Sequence, residues 1–199
     1  ECVADACRRF GADVVMTDAR HNSGTDRINE VARQRGWGEQ DVVVNVQGDE
    51  PLMPPAFIDQ AARLLLDDTD AQIATLAHPL HAREDWLNPN FVKLVRDARG
   101  RALYFSRAPI PWQRQGTSHK SPLPVGLAYR HIGLYAYRVG ALARFAALPP
   151  SPLEQCEALE QLRALENGLP IAVGIVTDPP PRGVDTEEDL QAVAALLER

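Results

Sequence analysis

The feature that most constrains this chain is the run Val42-Val43-Val44-Asn45-Val46, which breaks into Gln47-Gly48-Asp49-Glu50-Pro51. A continuous β-branched run predicts a strand buried on both faces of a parallel sheet. The switch to an amide, a glycine, two carboxylates and a proline marks its end. In open α/β sheets, ligands bind at the carboxyl ends of strands. A glycine there lets the backbone turn sharply, and a carboxylate there faces the crevice. Asp49 is therefore the first candidate metal ligand. The plainer reading of Gly-Asp-Glu-Pro is a strand-to-helix turn, because turns favour these residues anyway.

The flanking sequence supports an α/β fold. Glu1 to Phe10 reads as a helix with Val3, Cys7 and Phe10 on one face, and Ala12 to Thr17 as a short strand. The polar loop from Asp18 runs into a helix carrying Ile28, Val31 and Ala32, closed by Gly36. Ser23, Gly24 and Thr25 suit a helix N-terminus. Its free N–H groups either hold an anion or are capped by Ser23 or Thr25. After the organising strand, a helix is expected from Pro55 to about Asp67, with Ile58, Ala61, Ala62 and Leu65 inward. Ala71 to Pro79 is the next strand. This βαβα rhythm predicts a mostly parallel sheet with helices on both faces.

The rhythm then changes. Phe91 to Arg96 and Arg101 to Ser106 flank Asp97 to Gly100 as a hairpin. Ser106 to Trp112 is extended, since Pro109 and Pro111 exclude a helix. Gln113 to Leu127 is rich in Gly, Ser and Pro and reads as a mobile or variable loop. In the strand Tyr129 to Tyr137, alternation places His131, Gly133, Tyr135 and Tyr137 on one face. With Arg107 and Arg130 nearby in sequence, that face reads as a polar, anion-binding pocket. Gly140 to Leu148 is a short helix. Ser151-Pro152-Leu153-Glu154 starts a helix expected to run unbroken to Asn167-Gly168. Pro170 to Thr177 is a strand, and Thr186 caps a last helix from Glu187 to about Glu198, with Asp185 just ahead of it.

The bulk properties narrow the function. At 199 residues the chain is one large domain or a small two-lobed one, and its 45% apolar and 24% charged content is ordinary for a soluble globular protein. The net charge of −6 and the absence of basic runs argue against nucleic acid and membrane surfaces as partners. No apolar stretch is long enough to span a bilayer. Cys2, Cys7 and Cys156 are odd in number and lack metal-site spacing, which fits a reducing cytoplasm. Cys2 and Cys7 are expected to be small core-facing residues.

Seven segments, in order, carry a resemblance: His21-x-Ser23-Gly24-Thr25-Asp26-Arg27; Val44 to Pro51; Asn88-Pro89-Asn90-x-Val92-Lys93; Ala102 to Trp112; Arg130-His131-x-Gly133-x-Tyr135-x-Tyr137; Pro150 to Glu154 with Leu159 to Arg163; and Gly183-Val184-Asp185-Thr186. Together they resemble the CMP-Kdo synthetases, the 3-deoxy-manno-octulosonate cytidylyltransferases. The resemblance covers nearly the whole chain. It implies a Rossmann-like nucleotide-diphospho-sugar transferase sheet, with a small β-hairpin subdomain over about 91–137 that serves the substrate side and dimerisation. It implies an enzyme joining CTP to the eight-carbon sugar acid Kdo, giving CMP-Kdo and pyrophosphate for lipopolysaccharide assembly.

By that resemblance, Asp49 and Asp185 hold Mg²⁺ and, with Arg107, form the catalytic set. Gln47, Arg107, His131, Tyr135, Glu160 and Gln161 surround Kdo, with Arg107 as the natural carboxylate partner. Ser23, Gly24, Thr25 and Arg27 lie near the nucleotide. A homodimer in the cytoplasm is implied. The chain departs from the family pattern at its start, where a first strand and a Gly-Lys-Pro phosphate loop are expected. A single domain, N-terminally truncated relative to that pattern, is therefore expected. The competing readings are a cytidylyltransferase for 8-amino-Kdo or sialic acid, a non-catalytic dimer partner, and a Mg²⁺-dependent α/β hydrolase.

Overall fold

The structure is a computed structural model describing residues 2–21, 23–114, 123–180, 183–184 and 186–197. The expected mobile loop after Gln113 lies largely outside the described residues, as does Asp185. The elements are α1 (Cys2–Arg9), α2 (Gly24–Arg35), β1 (Val42–Asn45), α3 (Pro55–Asp67), β2 (Ile73–Pro79), α4 (Arg83–Leu87) and β3 (Lys93–Arg96). They continue with β4 (Ala102–Ser106), β5 (Tyr129–Arg138), α5 (Val139–Ala146), α6 (Pro152–Glu157), α7 (Gln161–Glu166), β6 (Ile171–Ile175) and α8 (Glu187–Leu197).

All six strands form one sheet in the order β4-β3-β5-β2-β6, with β1 also paired to β5. β5 is antiparallel to β1, β2 and β3, and β6 is parallel to β2. Hence β1, β2, β3 and β6 all run one way, as a βαβα rhythm requires, while β4 and β5 run against them. Hydrogen-bonded neighbours are nonetheless mostly antiparallel, because β5 lies between β1 and β2. The sheet is mixed, within the Rossmann-like α/β class that the sequence predicts. The hairpin is part of this sheet: Val173 N–H donates to Gly100 O at 2.8 Å, tying its turn to β6.

Alternation along β5 sorts the two faces. Ile132, Leu134 and Ala136 face α3, where they pack with Phe57, Ala61 and Leu65. Tyr135 and Tyr137 face the other side, with Leu142, Phe145 and Leu162 of α5 and α7. Fully burying a side chain such as Leu65 or Leu162 contributes about 1.5–3 kcal/mol. The α3 stripe is Phe57, Ala61 and Leu65, rather than one including Ile58 and Ala62, which are only half-buried.

Four local expectations need correction. Residues 12–17 form no strand, because none of the described strands pairs with them. β1 is half-buried along its length, since it pairs with β5 alone. α1 buries only Ala4; Val3 is 77% and Phe10 75% exposed, so its apolar face meets no core. Cys2 and Cys156 are exposed, and Cys7 is half-buried, so Cys2 and Cys7 do not face the core. The expected signals held at other ends. Ser23 caps α2, Gly36 closes it in the left-handed conformation, and the Ser151–Glu154 capping box opens α6.

Lys93 is completely buried on β3, at 0% exposure. Its ammonium donates to Asn88 O at 2.8 Å, to Phe91 O at 2.6 Å and to Arg107 O. This one cation joins the turn before β3 to the segment after β4. Burial lowers its pKa, while the Glu157 carboxylate opposes that shift. Lys93→Met leaves three carbonyls without their donor. Urea unfolding of this variant is expected to show a loss of about 2–4 kcal/mol. A midpoint equal to that of wild type contradicts this role.

Candidate active site

On the α5–α7 side of the sheet lies a cavity of about 170 Å³. β5 supplies its floor through His131, Gly133, Tyr135 and Tyr137, the face that alternation predicts. Gln47, just beyond the carboxyl end of β1, supplies one wall with Asn45. Glu160 and Gln161 supply the opposite wall, and Thr25 of α2 adds a hydroxyl. Five expected sugar-side residues, Gln47, His131, Tyr135, Glu160 and Gln161, thus converge from three separate parts of the chain. The cavity is small beside the roughly 300–1,000 Å³ of typical ligand pockets.

The position of Glu160 and Gln161 depends on a break in the helix expected to run from Pro152 to Asn167. Ala158 adopts φ 52, ψ 51, separating α6 from α7. Arg107 explains the break. Its Nε donates to Glu157 O at 2.8 Å, and an Nη reaches Ala158 O at 3.4 Å. In a continuous helix those carbonyls would accept from N–H groups four residues on. The Glu157 carboxylate in turn accepts from Ser106 Oγ at 2.6 Å and Arg107 N–H at 2.9 Å. The left-handed alanine costs of order 1 kcal/mol, which this cluster offsets. Arg107 also donates to Pro89 O at 3.2 Å. Its guanidinium is committed to backbone carbonyls and does not line the cavity.

The polar groups of the cavity are unequally satisfied. The Tyr135 hydroxyl is buried with no hydrogen-bond partner among the described residues. Burial raises its pKa well above the usual phenol value, so it remains a proton donor. Burial also raises Tyr137. Glu160 is held at both oxygens: Thr25 Oγ1 donates to Oε2 and an Arg163 Nη to Oε1, each at 3.1 Å. Burial raises its pKa, while the Thr25 bond and the Arg163 charge oppose the rise. Burial pushes the His131 imidazole down to about 3, so it is neutral at neutral pH.

The other expected site residues lie outside the cavity. Asp49 is exposed beyond β1, and its carbonyl accepts from Val184 N–H at 2.8 Å. Val184 immediately precedes Asp185 in the chain. Among the described residues, no group of three His, Cys, Asp or Glu side chains converges on a metal position. Ser23 Oγ accepts from Asp26 N–H at 3.1 Å, a helix cap, and Gly24 begins α2. Arg27 donates to Thr17 Oγ1 at 2.9 Å, Asp18 O at 3.0 Å and His21 O at 3.3 Å, pinning the loop before α2. Of the nucleotide-side set, only Thr25 reaches the cavity. Asn45 and Tyr137 line it as well and are additions to the expected set. Tyr137 shares the two-residue period of His131 and Tyr135, so the signal for it was present.

The mixed α/β sheet with helices on both faces is of the nucleotidyltransferase class of fold. That class is shared at the level of fold with a 4-diphosphocytidyl-2C-methyl-D-erythritol synthase, at a TM-score of 0.58 and 13% identity, over 99% of this chain and 76% of that one. The match to a CMP:2-keto-3-deoxy-manno-octonic acid synthetase complexed with CTP is much nearer. Its TM-score is 0.85 at 39% identity, over 99% of this chain and 77% of that one. A curated relative, the 3-deoxy-manno-octulosonate cytidylyltransferase of Cellvibrio japonicus, is 56% identical over 192 residues, 95% of this chain and 75% of its own length. A cytidylyltransferase family model matches residues 1–172. The chain belongs to the cytidylyltransferase family. The alternatives of another sugar acid, a hydrolase or a non-catalytic partner gain no support from these relatives.

The neutral His131 has a consequence for stability. Its folded pKa lies below the unfolded value, so the unfolded chain binds the extra proton. The contribution is fully present above about pH 6.5 and is lost as pH falls toward 3. Replacing it by His131→Gln is expected to flatten the pH dependence of unfolding free energy between about pH 6 and 4, by up to one proton. Parallel curves for the two proteins contradict the assignment.

Proposed function

We propose that the chain transfers the cytidylyl group of CTP to Kdo, giving CMP-Kdo and pyrophosphate. The observation that carries this reading is the convergence of Gln47, His131, Tyr135, Glu160 and Gln161 on one small polar cavity, in a chain 56% identical to a 3-deoxy-manno-octulosonate cytidylyltransferase. The anomeric hydroxyl oxygen forms a bond to the α-phosphorus of CTP. The bond from that phosphorus to the β-bridging oxygen breaks, pyrophosphate leaves, and the hydroxyl proton passes to solvent. Such transfer depends mainly on positioning and charge neutralisation.

The cavity residues have distinct tasks in this reading. The unpartnered Tyr135 hydroxyl donates to the sugar acid, and Gln47 and Gln161 offer amide donors and acceptors. Glu160, fixed by Thr25 and Arg163, accepts from sugar hydroxyls. Arg107, expected as the carboxylate partner, enters as the residue that holds the α6–α7 break behind the cavity. Ser23, Gly24, Thr25 and Arg27 are assigned to the nucleotide side from the sequence resemblance alone; in the structure Thr25 reaches the sugar cavity, where its hydroxyl holds Glu160.

Members of this family typically use a divalent cation. Asp49 fits one: it is an exposed hard-oxygen donor at a strand's carboxyl end, with the segment leading to Asp185 hydrogen-bonded to its backbone. Asp49 and Asp185 would hold Mg²⁺, which binds through one or two carboxylates plus phosphates and water and would neutralise phosphate charge.

A homodimer is part of the proposal, with 91–137 as the substrate-side and dimer-forming region of the single domain 1–199. Exposed Leu103, Trp112, Val125 and Leu127 in that region support it. No helix of the described residues is long and apolar enough to cross a membrane. A cytoplasmic location, like the absence of nucleic-acid and membrane partners, is proposed from the sequence.

Pyrophosphate release is expected only with CTP, Kdo and Mg²⁺ together. Chelation is expected to abolish it, and Asp49→Asn to slow it about 100-fold or more, the scale for losing one charge-stabilising group. Release from CTP without Kdo contradicts the transferase reading. An unchanged rate in Asp49→Asn contradicts the metal assignment. Light scattering is expected to give twice the chain mass, and a monomer mass removes the dimer from the proposal.

A further inference from the structure

Thr75 lies on β2 at 0% exposure, beside the cavity floor and paired with Tyr135 of β5. Here the β2–β5 register slips: Thr75 pairs with Tyr135, but Leu76 pairs with Ile132. Gly133 and Leu134 form the bulge, and the backbone groups around a bulge lose their ladder partners. The Thr75 side chain takes up that loss. Its Oγ1 is 2.8 Å from Leu134 O and 3.1 Å from Ile132 O. The same oxygen is 3.0 Å from His131 Nε2.

A hydroxyl has one proton, and a carbonyl oxygen only accepts. The Thr75 proton therefore goes to the bulge carbonyls. If it turned to the imidazole, both carbonyls would face an oxygen lone pair at hydrogen-bond distance. Toward His131 the hydroxyl is thus the acceptor, and Nε2 must carry the ring proton. A neutral imidazole with Nε2–H has a bare lone pair on Nδ1. Among the described residues Nδ1 has no hydrogen-bond partner. Edge contact with Phe105 at 5.1 Å and a tilted contact with Tyr135 at 5.3 Å hold the ring plane.

We propose that Thr75 is a positioning residue: it fixes His131 as the Nε2–H tautomer, so that Nδ1 accepts a hydrogen bond from a hydroxyl of the sugar acid. The ligand half of this inference rests on the cytidylyltransferase reading; the tautomer half rests on geometry alone. One hydroxyl thus does two jobs, completing the bulge that shapes the floor and setting the polarity of the histidine in it. The neutral state of His131 agrees with this, because a protonated ring would offer no acceptor. Tyr135, the unpartnered donor, and His131, the acceptor, then form a complementary pair for a polyhydroxylated ligand.

The test is long-range ¹H–¹⁵N correlation on histidine-labelled protein, with steady-state kinetics on the same samples. Wild type and Thr75→Ser are expected to show His131 protonated at Nε2 and bare at Nδ1 near neutral pH. Thr75→Val is expected to show a mixed or reversed tautomer. Its KM for the sugar acid is expected to rise about tenfold, the equivalent of 1.4 kcal/mol, with KM for CTP unchanged. Thr75→Ser is expected to restore both readouts. An Nδ1–H or doubly protonated ring in wild type overturns the proposal whether or not Thr75→Val folds. So does a folded Thr75→Val with wild-type tautomer and KM. Pyrophosphate release together with an Nδ1–H ring overturns the role of Thr75 and leaves the transferase reading standing. An Nε2–H ring in a protein that shows no turnover with Kdo overturns the ligand half alone.

Discussion

The ten residues of β5 are hydrogen-bonded to three other strands, and most of the structure depends on those pairings. β2 follows β5 along its length, while β3 and β1 share its other edge in turn. Because the side-chain period of a strand is two, one register fixes both faces together. Ile132, Leu134 and Ala136 are committed to the core under α3, and His131, Tyr135 and Tyr137 to the opposite face. A slip of one residue would bury the histidine under α3 and expose the leucine. The apolar core thereby sets where the polar floor lies. The bulge at Gly133 is the one place where the ladder yields, and it yields where the cavity is.

The second determinant is a competition for carbonyls. A helix from Pro152 onward has good local signals, including proline at its first position and a complete capping box. Arg107 takes the carbonyls of Glu157 and Ala158, and the helix ends there. Lys93 in turn holds the carbonyl of Arg107, and through Asn88 and Phe91 the turn before β3. Two cations acting on backbone oxygens thus fix the wall that carries Glu160 and Gln161. Neither cation needs to reach the cavity to shape it. This accounts for basic residues in the Asn88–Lys93 and Ser106–Arg107 segments without assigning each of them a ligand.

The fold was legible in sequence where signals were local. Proline at the start of α3, glycine closing α2, the capped start of α6 and the hairpin around Asp97–Gly100 were all read correctly from turn and cap chemistry. Alternation located the cavity face of β5, but the arginines that made it read as an anion-binding pocket, Arg107 and Arg130, do not line the cavity, Arg130 lying over the Phe91 ring. What escaped depended on distant partners. Nothing within residues 12–17 says that no described strand pairs with them. Nothing near Ala158 says that an arginine fifty residues earlier will interrupt the helix. The apolar face of α1 was predicted to be buried because periodicity reports pattern, while burial requires an opposing surface. The role of Thr75 was invisible for the same reason. A threonine in a strand is ordinary, and only the bulge in the neighbouring strand makes its hydroxyl consequential.

The proposed site for the sugar acid is the face of β5 carrying His131 and Tyr135. The most direct measurement is a titration of the protein with Kdo, following the ring resonances of His131, Tyr135 and Tyr137. Saturable shifts of His131 and Tyr135, lost in Tyr135→Phe or weakened with Gln161→Ala, are the predicted result. Saturable binding that leaves those rings unmoved, with shifts confined to other parts of the chain, would place the sugar acid elsewhere.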